Sequence, residues 1–104
     1  MFPKPNHKRR APKRGERGKF SKETREAALE RDNYLCQMCF KQGKTLHHVF
    51  LKSRIGRGVL TNALTLCNDC HTQIHRDNEL IEYWINVYAD RYGSNFYKDG
   101  YDSI

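Results

Sequence analysis

From residue 21 onward the hydrophobic positions change period several times, and the changes outline a series of short elements. Ser21 precedes a charged stretch in which Ala27, Ala28 and Leu29 recur up to Arg31. A hydroxyl at that position can accept from the first free N–H groups of a helix, so a helix is predicted from Ser21 to about Arg31, broken by Asp32-Asn33. Gln42-Gly43-Lys44 reads as a turn, and Thr45-Leu46-His47-His48-Val49-Phe50 as a short strand by its β-branched and apolar content. Leu51 to Thr61 is a basic loop with two glycines. Ala63–Leu66 reads as a second short strand. Asn68 is placed to cap a helix carrying Cys70, His71, Ile74 and His75, which Asp77-Asn78 interrupts. Leu80, Ile81, Trp84, Ile85, Tyr88 and Tyr92 then recur at helical spacing up to Gly93, a stripe expected to be core. Phe96, Tyr97 and Tyr101 are expected to pack back as a tail.

Charge divides the chain differently. Residues 1–20 hold eight Lys or Arg and one acid, Glu16, whereas residues 21–104 hold eleven of each sign. The entire formal charge of +7 therefore sits on the first twenty residues, which also contain all three prolines. Such a segment buries too little apolar surface to offset its ordering entropy, so 1–20 is expected to be a disordered basic arm and 21–104 the folded domain. The arm is either a solubilising tail or, with Arg9, Arg10, Lys13 and Arg14, a phosphate-neutralising nucleic-acid contact. A nuclear-localisation patch has the same composition. No secretory signal or membrane span is expected, and the protein is expected in the cytoplasm.

A folded part of this size is marginal without a staple. Cys36-x2-Cys39 and Cys67-x2-Cys70 supply one: the pairs match a four-cysteine structural zinc site, tetrahedral and closed. The 27 residues between the pairs exceed the roughly 15–20 of a simple ribbon. The excess is the strand–loop–strand segment, so the zinc would clamp both ends of a hairpin and contribute to folding. Cys67-Asn68-Asp69-Cys70-His71 also fits covalent haem attachment, but that chemistry goes with export and leaves Cys36 and Cys39 unexplained. A redox C-x-x-C is disfavoured because no βαβ pattern surrounds either pair.

Four of the five histidines gather on the same unit. His47 and His48 are adjacent on the first strand, and the four-residue spacing of His71 and His75 puts them on one helical face, able to share a cation. A regular pleat sends adjacent side chains to opposite faces, so a distortion or a strand edge is expected at His47-His48.

His48, Asn62 and His71, fourteen and then nine residues apart, resemble the HNH signature of ββα-metal nucleases. The paired start His47-His48 and the end His71 to His75 are similar to colicin nuclease domains, and the spacing is similar to the HNH domain of the CRISPR nuclease Cas9. The four-cysteine clamp is typical of small bacterial and phage HNH proteins. The resemblance covers residues 36–75 and implies an α+β fold, a small zinc-stapled ββα-metal domain flanked by helices. It implies a divalent-metal-dependent DNA endonuclease, a phosphodiester hydrolase leaving 5′-phosphate and 3′-hydroxyl ends. His48 would be the general base, and His47, His71 and His75 would be metal ligands. Asn62 would hold the loop and orient His48 through a backbone hydrogen bond. The expected cofactors are one structural zinc and one catalytic divalent ion, Mg2+, Mn2+, Ni2+ or Zn2+, with a tilt toward a transition metal for so histidine-rich a site.

Lys52, Arg54 and Arg57 in the loop are read either as a solvated face or as phosphate contacts flanking the scissile bond. Double-stranded DNA is the expected partner, with no organic cofactor and no membrane. No element reads as a base-recognition helix. The competing reading is a non-catalytic zinc-ribbon DNA-binding or accessory module of a larger phage or restriction machine. Such a binder would have no use for His48 and Asn62.

Overall fold

In a computed structural model the described residues are 17–99, and the arm residues Arg9, Arg10, Lys13 and Arg14, with Tyr101 of the tail, lie outside them. Helix α1 spans Lys22–Arg31, strand β1 Thr45–His48, strand β2 Ala63–Leu66, helix α2 Asn68–His75 and helix α3 Asn78–Tyr92. Two single 3-10 turns, Lys52–Arg54 and Leu60–Asn62, lie in the connection between the strands. β1 and β2 form a two-stranded antiparallel sheet with Thr45 opposite Leu66 and His48 opposite Ala63. Among the described residues this is the small α+β arrangement expected, three helices around one hairpin.

At Ser21 and Gly93 the helix ends follow the predicted chemistry. Ser21 caps α1, its hydroxyl accepting from the Thr24 amide. Asp77 caps α3 by accepting from Glu79 and Leu80, and Gly93 ends that helix at φ 96°. In α2 the cap is the Cys67 thiol, accepting from the Cys70 amide, and Asn68 is already helical. β1 also stops two residues early. Beyond His48 one backbone bond remains, from the Val49 amide to the Asn62 carbonyl, and then a side chain takes over, Asn62 bonding both the N–H and the C=O of Phe50.

Alternation along the strands sorts the core into two faces. On one, Val49, Leu64 and Leu66 join Cys36, Cys70, Ile74, Ile81, Tyr88 and Phe96. On the other, Leu46 and Ala63 pack with Ala28, and Phe20 and Leu29 lie against them. Residues 17–20, read from the sequence as the end of the arm, thus include a ring packed on the folded unit.

A two-stranded sheet leaves two rows of unpaired backbone groups, and here side chains occupy the outer row of β2. Arg31, at the end of α1, donates to the carbonyls of Leu60 and Ala63 and grips Asp32 with both ends of its fork. Asp32 in turn accepts from the Thr65 amide, and the Tyr88 hydroxyl donates to the Ala63 carbonyl at 2.8 Å. Gln37, from the first cysteine knuckle, donates its backbone amide to the Thr65 carbonyl. Burial pushes the Tyr88 hydroxyl well above the ordinary tyrosine range, so it stays a donor. One edge of the hairpin is therefore tied to α1, α3 and the knuckle together.

Tyr88→Phe should lower stability by about 1 kcal/mol, since the Ala63 carbonyl keeps Arg31 as a donor. Urea unfolding with an unchanged m-value would check this; a loss above about 3 kcal/mol would show that the ring, not the hydroxyl bond, had been disturbed.

Candidate metal centres and active site

The two knuckles bring Cys36, Cys39, Cys67 and Cys70 together, their sulfur atoms all within 4.8 Å of one another. Cys36 and Cys70 are buried while Cys39 is exposed. The Cys39 and Cys67 sulfurs stand 3.6 Å apart, far outside the roughly 2.05 Å of a disulfide. Burial pushes the Cys36 thiol up, but the backbone N–H groups of Cys67, Cys39 and Met38 aimed at it more than offset this and bring it down to about 6. Cys70 moves the other way, raised by burial and by the neighbouring thiols. Four thiols this close cannot all ionise in each other's company, and a divalent cation removes that conflict. The donor set fits zinc, which such a cluster would hold as a structural ion.

The second cluster is made of imidazoles. His47, His71 and His75 each offer a ring nitrogen within 4.8 Å of the others. The His47 ring meets His71 at 5.6 Å and His75 at 5.2 Å, and His71 stacks on His75 at 5.0 Å. His47 is 1% exposed, yet neither of its ring nitrogens has a hydrogen-bond partner. A buried polar atom without a partner is costly, and one facing two further imidazoles fits a cation ligand. Burial, then the charges of His71, His75 and His48, hold its pKa down to about 3, so the ring stays neutral and able to bind. An open depression of about 420 Å3 lined by Asn68, His71, Thr72 and His75 gives access to the cluster.

One member of this cluster has its proton placed by a residue that the sequence did not single out. The Thr45 hydroxyl donates to the Leu66 carbonyl at 2.9 Å and so has only its oxygen to offer His71 Nδ1, also at 2.9 Å. His71 must therefore carry its proton on Nδ1, which leaves Nε2 as the ligand atom. Thr45 lies two residues before His47, on the same strand face by the pleat, and that spacing was the signal for it.

His48 lies apart from the trio. Pairing continues regularly through His47 opposite Leu64 and His48 opposite Ala63, so of the two expected alternatives it is not a distortion but the strand edge that is found, with His48 the last residue of β1. The pleat turns His47 toward α2, whereas the His48 ring stacks on Phe20 with centroids 4.1 Å apart. His48 Nε2 lies 2.5 Å from the Gly18 carbonyl. Burial lowers its pKa, the Gly18 carbonyl opposes that, and the charges of Lys52 and His75 lower it further. Asn62 is fully buried and does not reach the His48 ring. Its amide bonds Phe50 and the Arg57 carbonyl, pinning both sides of the loop.

The basic residues of the loop separate. Lys52 and Arg54 are exposed, Arg54 with a 3.4 Å contact to Glu82. Arg57, expected among the phosphate contacts, is 6% exposed and turned to Asp99. Among the described residues no helix is long and apolar enough to cross a membrane.

Chelation of the full chain with excess zinc chelator should abolish the near-ultraviolet circular dichroism of the folded state, because the ion would close both ends of the hairpin; an unchanged spectrum would remove the structural role from the thiols. A second outcome follows from His47. Its folded pKa lies below the ordinary 6.5, so between those values the unfolded chain binds a proton that the folded chain refuses. The stability tied to the neutral ring is full above about pH 6.5 and falls as pH drops toward 3, by at most about 1.4 kcal/mol per pH unit. Without added divalent cation, wild type should lose stability more steeply than His47→Gln between pH 6.5 and 4.5. Parallel slopes in urea titrations would contradict this.

Comparison with known proteins returned no match among curated proteins and none among solved structures. A family model does match. It covers residues 36–77, from the first cysteine of the first knuckle to the cap of α3, and is described as HNH endonuclease. That segment contains both cysteine pairs, both strands, Asn62 and all four clustered histidines. HNH nucleases act on DNA, and over residues 36–77 this chain carries an HNH domain.

Proposed function

We propose that the chain is a divalent-metal-dependent DNA endonuclease hydrolysing phosphodiester bonds, with His48 as general base. The observation that carries this reading is the division of labour between neighbouring histidines. His47 lies buried and unpartnered among His71 and His75, while His48 is kept on a separate contact with Gly18. A base that also bound the cation would have no lone pair left for a proton. His47, His71 and His75 would hold the ion, His75 being the exposed and most replaceable of the three. When bound there, a divalent cation supplies positive charge against the phosphate and the leaving oxygen.

The chain's own groups account for the remaining steps. A carbonyl oxygen can only accept, so His48 Nε2 donates to Gly18 and Nδ1 is the atom left to take a proton from water. The lowered pKa of His48 keeps that atom unprotonated at neutral pH. Asn62 fixes the backbone two residues beyond the base and holds the loop bearing Lys52 and Arg54. Those two side chains would contact phosphates flanking the scissile one in a double-stranded substrate, positioning it without reading bases. Six Lys or Arg within residues 1–16 would add sequence-independent affinity. The products would carry 5′-phosphate and 3′-hydroxyl ends.

Plasmid nicking tests the reading, with Mg2+, Mn2+, Ni2+ or Zn2+ supplied after mild stripping of the protein. His48→Ala should lose about 10²- to 10⁴-fold in rate while keeping zinc content and DNA affinity; nicking at the wild-type rate would remove His48 from the role of base. Removing residues 1–16 should weaken DNA binding and flatten the dependence of log K on log salt, by about 0.9 for each phosphate that the arm neutralises. An unchanged slope would leave the arm a solubility tail.

A further inference from the structure

Gly18 and Phe20 contact the proposed base from outside the segment that the HNH family model covers. We propose that Arg17–Phe20, held down by Asp99 from the far end of the domain, is a positioning part of the active site. Its work is to fix His48 in the one tautomer and ring orientation that leaves Nδ1 free. This inference rests on reading His48 as the base.

Two contacts determine the ring. The Gly18 carbonyl demands a proton on Nε2, which sets the tautomer. The Phe20 ring lies nearly parallel to the imidazole, 21° between planes, which limits rotation about the bond joining the ring to the side chain. Neither contact would hold on a frayed segment, and this one is anchored at several points. The Arg17 guanidinium makes two 2.9 Å hydrogen bonds to the two oxygens of Asp99, in a pair whose side chains are each only 15% exposed. Partial burial and the two-pronged geometry make this a firmer tie than an exposed ion pair. The Arg17 carbonyl accepts from the Gly58 amide at 2.7 Å. Any side chain at Gly58 would run into the Lys19 carbonyl, so the loop and the segment meet backbone to backbone. Arg57, beside Gly58, also faces Asp99, and Asn62 holds the Arg57 carbonyl. The Asn62 loop, the Arg17 segment and the C-terminal end therefore form one bracket around the base.

The phenyl ring of Phe20 also rests on the small cluster of Ala28, Leu46 and Ala63, and a role in packing alone would predict a different result from a role in positioning. The test uses the full chain with Phe20→Ala, Phe20→Tyr and Asp99→Ala, measuring kcat and KM on a short duplex, thermal stability, and the 15N signals of the His48 ring by NMR. Positioning predicts that Phe20→Ala and Asp99→Ala lose on the order of ten- to a hundredfold in kcat with KM within about twofold. Phe20→Tyr should recover most of the rate. In wild type the His48 ring should show the single tautomer protonated at Nε2, and in the two alanine variants a mixture. Wild-type kcat with lowered melting temperature would make the segment scaffold only and overturn the proposal. So would a rise in KM alone, or an unchanged tautomer in both alanine variants. If wild type cleaves no DNA under any cation, the reading of His48 as base fails, while the ring signals still decide whether Gly18 and Phe20 set its tautomer.

Discussion

A β-strand sends neighbouring side chains to opposite faces, and in this domain that constraint separates the two histidines proposed as cation ligand and base. His47 and His48 are consecutive, with regular pairing through both. One ring is buried among two other imidazoles and the other is turned to a carbonyl and a phenyl ring. A cation site and a base must lie within reach of one phosphate, yet the base must not become a ligand. Two adjacent strand residues meet both demands through backbone geometry alone, provided the strand does not slip. A shift of one residue in register would exchange the two faces, bringing His48 to the cation cluster and His47 to the carbonyl.

Much of the remaining structure resists that slip. With only two short strands, the hairpin is too small to hold its own register. The four thiols can close it at one end, with Cys67 following directly on β2 and Cys36 tied to the knuckle that bonds Thr65. Asn62 closes it at the other by replacing the next ladder partners of Phe50. Along the outer edge of β2, Arg31, Asp32 and Tyr88 occupy groups that would otherwise be free to pair elsewhere. The placement of half-buried Arg31 and buried Asp32 makes sense in this light: they satisfy backbone groups that no third strand among the described residues meets.

What could be read from the sequence follows from how local each signal is. Ser21 and Gly93 mark helix ends by chemistry confined to one turn, so α1 and the end of α3 were legible almost to the residue. Ala63–Leu66 was legible because its apolar run ends at a cysteine. The end of β1 was not, because what stops it is an amide twelve residues away in the chain, Asn62 on Phe50. Arg57 looked like its neighbours Lys52 and Arg54, all basic on one loop, but the carboxylate that draws it inward is forty-two residues farther on. The contacts of residues 17–20 were not legible for a related reason. Charge composition describes Arg17 and Lys19 as part of a basic run, whereas the ion pair and ring stack that hold this stretch depend on Asp99 and His48. The histidine and cysteine clusters were visible because metal-ligand spacing is itself a short-range pattern.

The same distinction bears on how an HNH unit is built. The groups proposed to carry the chemistry sit within residues 36–77, the segment that the family model matches. The groups that aim them are spread more widely. Thr45 sets the proton on His71 from inside the segment, but the carbonyl facing His48 comes from Gly18 and is held through Asp99. A backbone carbonyl can be supplied by any residue type, and a stacking partner by any aromatic. The orienting half of such a site is legible only after the chain has been folded.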